Sequence, residues 1–229
     1  MNYINICYLI NADFLELTLT SIDYIKQFYK STKYDLRFYI IGIDDFTVPD
    51  GIVYKKSKYS HTEMPIDHQR VYIPEIVNTD RCIFLDSDTI VTTCISRLWE
   101  IDLCNNAFGA VQSFHFPMIS SMIQAYNLTT QHDDEFLSSL YCNIGVMLID
   151  CKLWKTRNLS NRCLSAISSY KKHPNIKNIA EPGYNIALYK EWLSLDERWN
   201  YLPRDKYKLA YITHYYGQYF NQKPCHSMF

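Results

Sequence analysis

Two carboxylates one residue apart, Asp86 and Asp88, give this sequence its clearest chemical signal. They follow a short apolar run, Cys82 to Leu85, and apolar residues resume at Ile90 and Val91. In extended chain, residues two apart point to the same side. Two like charges converging there repel each other unless a cation or solvent offsets them. Hard divalent ions such as Mg2+ or Mn2+ take carboxylate oxygens and commonly keep positions open for substrate phosphates. Asp86-Ser87-Asp88 is therefore a candidate clamp for a metal ion and a diphosphate. The competing reading is a plain turn, in which Asp and Ser bond to nearby backbone. The preceding strand favours the clamp, because open α/β sheets bind ligands at the carboxyl ends of their strands.

The elements that must hold such a pair can be read in order. Residues 3–10 form a buried first strand, Phe14 to Tyr29 carries apolar residues at helical spacing, and Leu36 to Ile43 is a second strand. This β-α-β opening lacks a GxGxxG fingerprint, so a dinucleotide site of that kind is unsupported. A short strand is expected within 52–59, an irregular polar stretch over 60–69, and a helix from Arg70 to Val77 kinked near Pro74. After the acidic strand come a short helix at 95–103, a strand at 107–114 and a helix at 119–126. A strand at 141–149, one helix from Lys152 to Tyr170, a helix from Asn185 to Trp192 and a last strand near 211–217 complete the chain. Residues 115–140 are mixed, with an acidic patch at Asp133, Asp134 and Glu135, and residues 114–140 are the expected acceptor surface.

Composition bounds the class. The chain has 229 residues, 48% of them hydrophobic, which is enough for one large α/β domain spanning 1–229. A formal charge of -1 gives no basic field for nucleic acid. Its 20 Tyr are read mainly as half-buried strand filling. The eight Cys form no CxxC pair, which argues against zinc of the usual spacing. With no signal-peptide pattern and no apolar run long enough for a transmembrane segment, a reduced, cytoplasmic protein is expected.

Four motifs occur in an order that resembles glycosyltransferase family 8, the GT-A-fold group that includes glycogenin and bacterial lipopolysaccharide galactosyltransferases. The first is Arg70, an Ile-Pro-Glu helix, Ile83-Phe-Leu-Asp-Ser-Asp-Thr-Ile-Val and Leu98-Trp99. The second is Asn143-Ile-Gly-Val-Met-Leu-Ile-Asp. The third is Glu181-Pro-Gly-Tyr-Asn185 followed by Arg198-Trp-Asn200, and the fourth is His214-Tyr-Tyr-Gly217 with Lys223-Pro224.

The resemblance implies an α/β GT-A domain with a Rossmann-like mixed sheet flanked by helices. It implies a UDP-sugar donor, a hexosyl transfer to a saccharide or protein acceptor, and retention of configuration. By it, Asp86 and Asp88 hold Mn2+ (or Mg2+) and His214 completes the metal site, a donor set that suits Mn2+ better than Ca2+. Lys223 would contact the diphosphate, Gly217 would let backbone approach it, and Arg70 and Ser87 would lie beside the nucleotide. Leu9, Asn11 and Asp13 would border the uracil and ribose, and Asn143 would contact a sugar. The chain departs from the family where Asp-Gln-Asp is replaced by Ala180-Glu181-Pro182. Glu181 then stands beneath the reacting carbon, as a nucleophile, a charge stabiliser or an acceptor ligand. The family's acidic pair after the first strand is replaced by Asn11 and Ala12, which bears on base preference. The alternatives are an inverting transferase using another nucleotide sugar, with its general base among Asp67, His68, Asp133, Asp134 and Glu181, a nucleotidyltransferase, and a non-catalytic sugar- or nucleotide-binding domain.

Overall fold

The structure is a computed structural model describing residues 2–60, 62–128, 133–170, 180–204, 209–216 and 220–221. Strand β1 (Tyr3–Ile10) leads through a 3-10 turn into helix α1 (Leu15–Phe28) and back to β2 (Asp35–Gly42), parallel to β1 from Tyr3↔Asp35 to Ile10↔Gly42. Strand β3 (Ile52–Lys56) adds to the outer edge of β2. Helix α2 (Ile66–Gln69), a 3-10 turn (Arg70–Tyr72) and helix α3 (Ile73–Val77) then lead to β4 (Arg81–Leu85), which lies parallel to β1 on its other side. Strand β5 (Thr89–Val91), helix α4 (Ser96–Trp99), strand β6 (Phe108–Gln112), helices α5 (Ile119–Ala125) and α6 (Asp134–Leu137) and strand β7 (Cys142–Asp150) follow. Helices α7 (Cys151–Thr156), α8 (Leu159–Tyr170) and α9 (Ala180–Leu188) precede β8 (Trp192–Leu195), a 3-10 turn at Glu197–Asn200 and β9 (Ile212–His214).

The described strands form a seven-stranded sheet ordered β3-β2-β1-β4-β7-β6-β8 and a two-stranded ribbon of β5 and β9. Strand β7 runs against both β4 and β6, so the sheet is mixed. The strands alternate between two cores. Ile4, Ile6, Tyr8 and Ile83 face the side covered by α1, with Ile22, Ile25 and Leu98, while Cys7, Cys82, Phe84 and Met147 face the side of Trp154 and Tyr184. Burial on both faces explains why these strands read as unbroken apolar runs.

Several elements differ from the sequence reading. The helix expected over 152–170 is two helices, because Asn158 takes a left-handed conformation (φ 54) between them. The helix expected from Asn185 to Trp192 begins five residues earlier and ends at Leu188, and Trp192 opens a strand parallel to β6. Residues 66–69 are helical, not irregular. Pro74 sits in the first turn of α3, where a missing N–H costs nothing, and the change of helix type comes before it. Among the described residues, no helix is long and apolar enough to cross a membrane.

Candidate functional site: an acidic turn closed by a distant histidine

Where β4 ends, Asp86 N–H donates to Gly145 O of β7 at 2.8 Å, and the chain turns instead of staying extended. Thr89 closes that turn with its N–H and its hydroxyl on Asp86 O, at 3.2 and 2.7 Å. Ser87 Oγ meets Thr18 Oγ1 of α1 at 2.8 Å, which pins the turn to the helix below. The ribbon brings the third group: Thr89 pairs with His214 across β5 and β9, and Tyr215 N–H donates to Asp88 O at 2.9 Å. His214 Nε2 consequently lies 3.1 Å from Asp88 Oδ1 and 3.7 Å from Asp86 Oδ2. The carboxylates lie together through a turn, not through the extended strand from which the sequence reading argued.

The electrostatics of the pair are unequal. Burial pushes the Asp86 carboxyl up to about 6, against the lowering influence of the Arg70 charge. Burial raises Asp88 as well, but its contact with His214 outweighs this and holds it below the usual carboxylate range. Arg70 grips Asp86 Oδ1 from its outer side at 2.7 Å, reaches Ile144 O at 3.4 Å and lies over the Phe84 ring at 4.7 Å. Its Nε has no partner among the described residues.

The turn opens into a cleft of about 610 Å³ lined by Leu9, Asp67, Arg70, Asn143, Glu181 and His214 among others, with Phe14, His115, Phe116 and Tyr216 on its walls. Helix α9 carries Glu181 in its first turn, and Asn143 Nδ2 donates to Glu181 Oε2 at 3.1 Å. Burial pushes the Glu181 carboxyl up to about 7, with Arg70 acting in the opposite direction. Asn185, one turn along, clamps α9 to β7 by accepting from Cys142 N–H at 2.7 Å and donating to Cys142 O at 2.9 Å. Asn11 and Asp13 follow Leu9 in the 3-10 turn but do not line the cleft; Asn11 Oδ1 is buried without a described partner, and Asp13 is exposed. Asp133 accepts from Phe136 N–H at 2.9 Å as the cap of α6, which occupies one carboxylate oxygen with a structural task. Gly217 and Lys223 lie outside the described residues.

The sequence profile of glycosyl transferase family 8 matches residues 3–225. The chain belongs to that family. Among curated relatives, general stress protein A of Bacillus subtilis is 24% identical over 159 residues, covering 68% of this chain and 52% of that protein. Glycosyltransferase GlyF of Streptococcus pneumoniae is 31% identical over 142 residues, covering 62% and 31%. The chain thus spans about half or less of these relatives. The fold matches the crystal structure of galactosyltransferase LgtC in complex with donor and acceptor sugar analogues, with a TM-score of 0.72 at 14% identity over 94% of this chain and 88% of that one. The mixed sheet flanked by helices is the GT-A architecture that the motifs implied.

In this member of family 8, Asp86, Asp88 and His214 each offer a ligand atom within 4.8 Å of the other two, a set that could hold a metal ion. The fit is supported by Gly145 of β7. A Cβ there would stand 2.1 Å from His214 Cε1 and 2.7 Å from Asp86 Oδ2, so only glycine leaves the imidazole its place. Gly145 and Asn200, which faces His214 Nδ1 at 2.9 Å, are the site residues that motif reading passed over. Their signals were a glycine inside a strand, which marks close approach, and a buried amide in the Arg198-Trp-Asn200 turn.

Proposed function

We propose that this protein is a metal-dependent glycosyltransferase, with residues 1–229 acting as one GT-A domain. It transfers a hexose from a UDP-sugar, UDP-glucose or UDP-galactose, to a saccharide or protein acceptor with retention of configuration. The observation that carries this reading is the convergence of Asp86, Asp88 and His214 in a cleft large enough for a nucleotide sugar. These three residues would hold Mn2+ or Mg2+, and the bound ion would supply Lewis-acid stabilisation of the departing diphosphate. Arg70 fixes the outer oxygen of Asp86, which leaves Oδ2 aimed inward beside His214. Glu181 would face the sugar, with Gly217 and Lys223 assigned to the diphosphate by the motif alone.

Calorimetry with UDP and a panel of UDP-sugars, with and without Mn2+, tests the reading. Tight binding that needs the ion is expected. Asp88→Ala should remove most of that affinity while the far-UV spectrum stays unchanged. Equal binding with and without the ion would refute the metal clamp, and an inverted anomeric configuration in the product would refute retention.

A further inference from the structure

The amide groups behind the acidic turn form a chain whose polarity is fixed at one end. The pairing of β6 with β7 slips between Ala110 and Val111, from Ala110↔Met147 to Val111↔Asn143, so residues 144–146 of β7 have no partner on β6. Gly145 N–H, released from the ladder, donates to the Asn143 side chain at 3.0 Å. A backbone N–H can only donate, so the atom it meets is Asn143 Oδ1 and the other end of that amide is the NH2. The NH2 faces Glu181 Oε2 at 3.1 Å. Asn143 Oδ1 also lies 2.7 Å from Asn200, which must therefore present its own NH2 there and its carbonyl Oδ1 on the far side. That carbonyl faces His214 Nδ1 at 2.9 Å and can only accept, so Nδ1 carries a proton.

We propose that Asn200 is a positioning residue for His214. It fixes the imidazole as the Nδ1–H form, so that Nε2 meets a metal ion with its lone pair, while Asn143 extends the same chain to Glu181. The ion's ligand and the carboxylate at the floor of the cleft are then oriented by one backbone N–H at a sheet irregularity. Asn200 and His214 are both buried, 8% and 2% exposed. Neither amide has an ionisable proton, so the polarity set at Gly145 holds across the pH range of function. Residues that orient a histidine ligand from behind typically change metal affinity by about ten- to a hundredfold when removed.

This inference rests on the metal reading above, and the experiment separates the two. Mn2+ affinity is measured by calorimetry for the parent, Asn200→Leu and Asn200→Asp. The Mg2+-loaded parent, labelled with 15N-histidine, is examined by long-range proton–nitrogen NMR. The expected spectrum has the His214 proton on Nδ1. Asn200→Leu is expected to lose about ten- to a hundredfold in Mn2+ affinity. Asn200→Asp, which keeps an acceptor for Nδ1–H, should stay several-fold closer to the parent. A parent that binds no Mn2+ overturns the metal reading and this inference with it. A parent that binds Mn2+, with an Asn200→Leu variant that binds equally well, overturns the inference alone. Equal loss in both variants means that the acceptor facing Nδ1–H is not what sustains the affinity, and also overturns it. If Asn200→Leu does not fold, the NMR of the parent decides: a proton on Nε2 in the Mg2+ form is incompatible with the proposal.

Discussion

At the residue scale, two positions set the geometry of the cleft without supplying a ligand atom. Gly145 gives His214 its room, and Gly145→Ala would force the ring or β7 to shift. The expected cost is about 1–3 kcal/mol of stability, accompanied by loss of Mn2+ affinity. Urea unfolding and calorimetry on the same preparation check both, and normal affinity would show that the strand can yield. Glu181 is the second. Its folded value of about 7 stands above the ordinary 4.5. The folded protein therefore keeps a proton that the unfolded chain has released. That stabilisation is complete below the unfolded value and is lost as pH rises through the folded one. Glu181→Gln, which cannot ionise, should gain stability over the metal-free parent as pH rises from about 5 to about 8, on the order of 2 kcal/mol. Melting curves of the two proteins across that interval test this, and a constant gap would contradict it.

At the element scale, helix α9 decides where Glu181 stands. Gly183 lets α9 lie against α8, since a Cβ there would meet Ile167 Cγ1 at 2.4 Å and Ile167 Cα at 3.2 Å. Gly183→Ala should push the helices apart at a cost of about 1–3 kcal/mol, readable as a lower urea midpoint with an unchanged slope. No change in midpoint would mean that Ile167 moves aside freely. This same helix shows what a sequence conceals. Glu181-Pro-Gly falls outside the helix expected from Asn185, yet Pro182 is tolerated in a first turn and Gly183 is there for packing. Strand β8 was hidden for a related reason: Trp192 to Leu195 pairs only with β6 in the described structure and is half exposed, so its pattern merges with the helix before it. The core strands were legible because burial on both faces leaves long apolar runs. Asp86 and Asp88 stood out because they follow such a run, at a strand end where open α/β sheets bind ligands. Asn200 did not, because its task depends on a register slip at Asn143, far from it in sequence.

At the scale of the whole molecule, the cleft is built from both halves of the chain. Leu9 lies at the end of β1, Asp86 and Asp88 after β4, Asn143 at the start of β7 and His214 at the end of β9. An ion or nucleotide bound there exists only in the folded state. Mn2+ with UDP, each at about a hundred times its dissociation constant, should therefore stabilise the protein by at least about 2.7 kcal/mol, a rise of roughly 5–10 °C in melting temperature for a chain of this size. Asp88→Ala should show little of that rise, and a full rise in the variant would move the ion elsewhere.

The pairing of β5 with β9 carries a consequence for how the protein comes into being. Thr89 and His214 are neighbours in the ribbon but are separated by more than half of the chain. Contacts so distant in sequence close late, after the loop entropy between them has been overcome. On the ribosome, the acidic turn emerges and can dock on α1 long before its histidine has been synthesised. The ion site is therefore complete only once β9 has been made and pairs with β5.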